Sequence, residues 1–198
     1  MEPKVEIRRL FDIMPASGRM SIKIVSKPEQ AKVIDAAFPL PWNQERPIYI
    51  NFDLWCRLSK PQRDLLLLRV VSWLTGVRWF KPDIYQGVTL AGLLAVLMEF
   101  SQSDPVGVAV AGGLTAIAIT RIWRLNRSEE SELNADSAAI KVALRRGYTE
   151  VDAAQHLLTA IPTVAKIEKR SLNFTELIRF QNLKVITGLS AVGLGEEK

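Results

Sequence analysis

Cysteine and histidine are almost missing from this chain, which has one of each, Cys56 and His156, among 198 residues. A single cysteine closes no internal disulfide and has no CxxC partner, so a disulfide scaffold and a cysteine zinc site are both excluded. His156 lies in a different helix from Asp136, twenty residues on and in no ligand spacing to it, and reads as a packing or surface residue. The sequence also lacks a glycine-rich phosphate loop, a dinucleotide fingerprint and a glycine-flanked serine elbow. Cys56 and His156 would be the sole pair available to a thiol mechanism. No enzyme and no cofactor are therefore expected. The opening MEPKVEIRRLFDIMPASGR mixes charged and apolar residues and has no continuous apolar core, which argues against a secretory signal and for the cytoplasmic side as the default.

The composition is that of an ordered chain, with 48% hydrophobic residues, and its length suits one domain over 1–198. The net charge is +5. The basic residues are spread out and no aromatic-plus-basic motif gathers them, so nucleic acid is not an expected partner. Pro3 to Met14 reads as a short amphipathic helix ended by PASG, followed by a strand in MSIKIVS and a second in RPIYINF, Arg46 to Phe52. The proline-rich AFPLPWNQERP between them is a loop, with room for one short strand near Ala37 to Leu40. After Ser59 the pattern is helical throughout. SEESELNADSAAIKVALRRG forms a helix stopped by Gly147, Thr149 with Asp152 opens another that ends at Ile161 before Pro162, and FTELIRFQNLKVI forms the last, ahead of a frayed tail. The fold class is α+β, mostly helical, with a small amino-terminal sheet.

No run reaches the roughly 20 apolar residues of a comfortable membrane span. What is present, within 84–120, is a pair of shorter runs, IYQGVTLAGLLAVLM and PVGVAVAGGLTAIAIT, joined by EFSQSD. Arg78, Lys81, Arg121, Arg124 and Arg127 cluster at the open end of this hairpin with Trp79, Tyr85 and Trp123, whereas the connecting loop carries no basic residue. That asymmetry reads as a membrane interface on the cytoplasmic side, with residues 102–104 on the far side. Small residues four apart, such as Ala91 with Ala95 and Gly112 with Ala116, would let the two helices approach closely. A membrane-inserted hairpin of transmembrane helices is the leading expectation and a hairpin buried in protein the alternative.

LSKPQRDLLLLRVVSWLTG, Leu58 to Gly76, begins with a capping box from Ser59 and Gln62 and a first-turn proline, Pro61. From Leu65 onward only Arg69 and Ser72 interrupt the apolar residues, so the helix is surrounded on most sides. Arg69 either snorkels its head to an edge or occupies a position where related proteins hold another group.

The order of AFPLPWNQERPIYINFDLWCRLSKPQRDLLLLRVVSWLTG, a hydrophobic hairpin and ESELNADSAAIKVALRRGYTEVDAAQHLLTAI resembles the HtpX and CAAX-prenyl-protease type of membrane zinc metallopeptidase, and a cyanobacterial family of degenerate homologues of it. The resemblance implies a zincin-like helical core and a vestigial site. Arg69, Val70 and Trp73 would stand at the first zinc histidine, the general-base glutamate and the second histidine, so that Arg69-Val70-Val71-Ser72-Trp73 replaces HExxH. Glu132 and Asp136 would stand at the third ligand and the residue that orients the first histidine. Arginine, valine and tryptophan supply neither ligand nor base, so no metal is expected. An acidic first helical stretch favoured by the helix dipole accounts equally for Glu132 and Asp136. If the helices keep the family arrangement, Arg69 faces both carboxylates and Asp136 is the favoured direct contact.

The resulting expectation is a non-catalytic, membrane-associated protein-interaction or assembly and quality-control module. Its partner would be an unidentified membrane protein or complex, and its membrane thylakoid or plasma membrane if the cyanobacterial resemblance holds. A peripheral anionic-lipid-binding protein is the alternative, and a cryptic hydrolase the third.

Overall fold

A computed structural model describes residues 2–39, 43, 45–76, 84–101, 105–126 and 129–188. The chain divides into two compact units, Met1–Gly76 with Glu132–Lys198, and Val77–Ser131. The first holds helices α1 (Pro3–Ile13) and α2 (Ala16–Ser21), strands β1 (Ile22–Ser26), β2 (Ile34–Ala36) and β3 (Arg46–Ile50), and helices α3 (Phe52–Trp55) and α4 (Lys60–Gly76). Beyond the second unit's α5 (Ile84–Ser101) and α6 (Pro105–Asn126), it resumes with α7 (Glu129–Leu144), α8 (Glu150–Ile167) and α9 (Phe174–Ile186). The fold is thus α+β and mostly helical.

The sheet has the order β1-β3-β2, with β1 parallel and β2 antiparallel to β3. Alternation puts Ile22 and Ile24 of β1 and Ile48 and Ile50 of β3 into the core. The third strand lies at Ile34–Ala36 and not near Ala37 to Leu40, because the stretch after Ala36 runs into Pro39, which has no N–H to give a ladder; Leu40 lies outside the described residues. Asn51, just past β3, holds the irregular connections in place. Its side-chain Nδ2 donates to the carbonyls of Pro28 and Gln30, at 2.8 and 2.9 Å, while Oδ1 accepts from the backbone N–H groups of Asp53 and Leu54 and so caps α3.

α4 is the central element. Its Leu66, Leu67, Val70, Val71 and Leu74 join a core with the sheet and α1, while Leu65 and Leu68 join a second core with α7, α8 and α9. Two cores on opposite sides explain why its sequence is apolar nearly all round. The capping box forms, with Ser59 N–H donating to Gln62 Oε1 at 3.0 Å and Gln62 N–H to Ser59 Oγ at 3.4 Å. α2, which the PASG turn concealed, brings Gly18 so close to α4 that an added Cβ would stand 2.7 Å from Val71 Cγ1.

α7 stops before Gly147, whose φ of 90° suits glycine, and Thr149 caps α8 through Asp152 N–H. α8 does not end at Ile161; it continues through Pro162 to Ile167. Pro162 is exposed, while Ala160, Ile161, Val164 and Ala165 are buried, so packing on both sides of the proline outweighs the lost hydrogen bond. The tail at residues 189–198 lies outside the described residues.

In the second unit α5 and α6 pack against each other. An added Cβ at Gly92 would collide with Thr115 Oγ1, so glycine permits the approach, and the buried Thr115 hydroxyl donates within its own helix to the Ala111 carbonyl at 2.8 Å. Among the described residues no helix is long and apolar enough to cross a membrane, which corrects the expectation of a transmembrane helix. At 1.5 Å per residue an apolar run of about 15 residues covers about 22 Å, short of a hydrocarbon core of about 30 Å. The loop expected on the far side, at residues 102–104, lies outside the described residues.

Replacing Asn51 with alanine strands two carbonyls and two N–H groups at once. Asn51→Ala should lower unfolding stability in urea by about 2–4 kcal/mol; a loss below about 0.5 kcal/mol would show that these loops are held by other means.

Candidate functional site

Three elements of the first unit bring charge into its interior. α4 contributes Arg69, α7 contributes Glu132 and Asp136 one turn apart, and α9 contributes Arg179. Arg69 makes a direct ion pair with Glu132 through Nη2, and its Nε lies 3.7 Å from Asp136 Oδ1. Asp136 has no solvent exposure and is held by Arg179 through two parallel bonds, Nε to Oδ2 at 2.8 Å and Nη2 to Oδ1 at 2.9 Å. Glu132, rather than Asp136, is thus the direct partner of Arg69. The physical reason is Arg179, which sequence reasoning passed over and whose planar fork already takes both Asp136 oxygens. Arg179 was findable, because it sits four residues before Leu183 on the buried stripe of α9, as Arg69 sits among the leucines of α4.

Burial, and next to it the positive charge of Arg179, lowers the Arg69 guanidinium to about 9, with Asp136 and Glu176 opposing the shift. The group therefore remains a cation at neutral pH. Val70 packs into the sheet-side core, and Trp73 meets Phe38 edge-on at 6.0 Å between ring centroids. Arg69, Glu132 and Asp136 are thus brought together, while Val70 and Trp73 serve packing.

A cavity of about 540 Å³ lies beside these pairs. Its wall continues through Arg170, which donates to Glu168 at 2.6 Å and to both oxygens of Glu176 at 2.6 and 2.7 Å. Glu168 also accepts from the Val33 N–H at 2.7 Å, tying the end of α8 to the approach to β2. Glu176 completes a capping box with Asn173 at the start of α9. Burial works to raise the Glu176 carboxyl, but the Arg170 bonds and the capping N–H bring it below its ordinary range. Each ionisable group of this wall is therefore spent on a neighbour. Among the described residues no cluster of three His, Cys, Asp or Glu side chains is placed to hold a metal ion.

A second network joins α1 to α4. Glu6 accepts from Arg9, from Arg63 at 2.8 Å and from the Trp55 indole at 3.2 Å. Asp64 accepts from Arg9 and from the Tyr148 hydroxyl at 2.9 Å. Burial and then the bond to Asp64 push Tyr148 up to about 12. His156 lies outside both networks' bonds and packs edge-on against Tyr148. Of the expected membrane-interface residues, Arg78, Trp79, Lys81 and Arg127 lie outside the described residues. Tyr85 falls in the first turn of α5, and Arg121, Trp123 and Arg124 in the last two turns of α6.

Comparison with known proteins adds a family and a relative. The family described as a protein of unknown function (DUF3318) matches residues 8–148. A curated protein of Synechocystis named as a thylakoid membrane protein is 25% identical over 162 residues, covering 80% of this chain and 76% of that protein. No solved structure matches. The matching family is not the HtpX or CAAX-prenyl-protease type, so that resemblance is corrected, and the vestigial reading of Arg69, Val70, Trp73, Glu132 and Asp136 loses the resemblance it rested on. A strand, a capped helix, a hairpin and an acidic helix in that order are a generic series, and without the HExxH chemistry nothing specific remained in the match.

Arg179→Met leaves Asp136 buried without its fork and should cost about 3–5 kcal/mol in urea unfolding. Arg69→Met should cost less, about 1–3 kcal/mol, since Arg69 and Glu132 keep 15% and 24% side-chain exposure; the reverse order would contradict this assignment of partners. Glu6 gives a prediction in pH. Burial works to raise it, but Arg9 and its other donors leave it below its ordinary 4.5. Its contribution is present above 4.5 and lost as pH falls through the lower folded value, so Glu6→Gln should flatten the acid limb of the stability curve below about pH 4.5. An unchanged acid limb would count against the network.

Proposed function

We propose that the chain, which belongs to the DUF3318 family, is a non-catalytic membrane-associated protein-interaction module: its apolar hairpin meets lipid and its compact unit engages a protein partner. The observation that carries this reading is the surface of the second unit. Leu90, Leu93, Leu94, Leu97, Met98 and Phe100 on α5, and Val106, Val110, Leu114 and Ile117 on α6, are 47 to 75% exposed. A soluble surface rarely gathers so many large apolar side chains. The name of the Synechocystis relative supports a membrane, with thylakoid or plasma membrane as the candidates.

The short apolar stretches favour insertion into one leaflet over crossing, with the basic residues of the hairpin's open end meeting headgroups from the cytoplasmic side. The self-paired charges of the first unit favour a structural or docking role over catalysis. Cys56 bonds to its own helix at the Asp53 carbonyl, and His156 packs on Tyr148. A peripheral anionic-lipid binder with no protein partner is the second reading, favoured by the sequence charges that flank the hairpin.

Flotation of the purified chain with vesicles containing phosphatidylglycerol tests the apolar contribution. The chain should float and remain bound in 0.5 M salt, about the level that screens exposed charges within a few ångströms, and Leu97→Asp combined with Ile117→Asp should reduce flotation by about tenfold or more. Complete release by salt would favour the second reading, and failure to float at any salt would overturn both.

A further inference from the structure

The cavity beside the ion pairs has an unusual border. Lys32, Ile34, Asp35 and Ala36 all line it. Successive side chains of a strand point to opposite faces, so consecutive residues can share one cavity only where the cavity runs along the strand's edge. β2 is an edge strand, since the sheet order is β1-β3-β2. The Asn51 N–H donates to the Val33 carbonyl at 3.1 Å, and the register pairs Ile34 with Ile50 and Asp35 with Tyr49. The Val33 carbonyl and the backbone groups of Asp35 therefore turn toward β3, while Ile34 and Ala36 turn theirs toward the cavity; the Val33 N–H, just before the strand, goes to Glu168 instead. Among the described residues no hydrogen bond reaches those outward groups.

We propose that this edge and cavity form a docking slot for an extended peptide segment of a protein partner, added as a fourth strand beside β2. Two N–H groups and two carbonyls in alternation are matched by another extended backbone and not by a lipid tail, which offers no donor or acceptor. Glu168 closes one end of the slot by taking the Val33 N–H. Leu66, Val70 and Val164 supply an apolar wall for alternate side chains of the guest. The charged wall is balanced: Lys32, Arg69, Arg170 and Arg179 stand with Asp35, Glu132, Glu168 and Glu176. Because these charges are already paired with neighbours, the wall favours a guest of no net charge in which apolar residues alternate with polar ones. The slot rests on the reading of the chain as a protein-interaction module and names the chemistry of its partner.

The test uses the full chain and a fluorescein-labelled, end-blocked heptapeptide that alternates valine with lysine and glutamate, followed by anisotropy. Binding is expected in the range of tens to hundreds of micromolar. N-methylation of alternate residues should abolish it when the methyl groups lie on one edge of the peptide and leave it within about threefold when they lie on the other, because a single edge pairs with β2. Ala36→Pro removes an outward N–H that the sheet does not use, so it should keep the thermal midpoint and weaken binding at least tenfold. If that variant fails to fold, the two methylated peptides still decide. No binding by the parent, equal binding of both methylated peptides, or undiminished binding to a folded Ala36→Pro would overturn the slot. Self-association of the parent that Ala36→Pro abolishes would assign the edge to a second copy and equally overturn it. Flotation of the same samples keeps the two ideas apart, since a chain that floats but ignores the peptide loses the slot alone.

Discussion

A carboxylate with no contact to water, Asp136, fixes the arrangement of the first unit. Such a group is tolerable only when its oxygens are taken by strong donors, and Arg179 takes both. α9 must therefore lie with one particular face against α7. Arg69 and Glu132 repeat the logic between α4 and α7, the two helices that flank the inserted hairpin in the sequence. Two opposite-sign pairs at one place offer little net energy, because desolvation offsets much of the attraction. Their effect is on selection: a register shift of any of the three helices would leave a buried charge without its partner.

Around that constraint the apolar packing is ordinary and divided. α4 serves two cores because leucine and valine cover both its sides, and the polar clusters lie at the ends and seams of the helices. The Glu6, Arg9 and Asp64 network ties α1 to α4, and Arg146 adds a clasp by donating to the carbonyls of Ile13 and Met14 at the end of α1. The two networks account for most of the buried charge in the described part of the first unit.

Much of the architecture was legible in the sequence where one local signal decided the outcome. Ser59 and Gln62, Gly147, and Thr149 with Asp152 each marked a helix boundary that the structure keeps. The failures came where tertiary contacts overrode the local signal. Pro162 did not end α8 because its neighbours pack on both sides, and α2 formed where PASG promised only a turn. At the site, a lone cation among leucines marked Arg69 as needing a partner, but its meeting with α7 was expected only from the peptidase resemblance and not from the residues themselves. The choice of Glu132 over Asp136 was not legible either, because it depends on Arg179, more than forty residues away in sequence and brought in only by the packing of α9. The peptidase resemblance failed for a different reason, since it rested on the order of elements and not on residues that carry chemistry.

In this chain a self-neutralised compact unit is joined in sequence to an apolar hairpin whose exposed side chains call for a different solvent. The most direct measurement places a polarity-sensitive nitrobenzoxadiazole label, in a Cys56→Ser background, at Leu97→Cys on α5 and, as a control, at Asp152→Cys on the exposed surface of α8. On adding phosphatidylglycerol-containing vesicles, the Leu97 label should brighten, shift to the blue and be quenched by nitroxides on the acyl chains, while the Asp152 label stays aqueous. A Leu97 label that remains aqueous on vesicle-bound protein would contradict the central claim that the hairpin is the lipid-contacting surface.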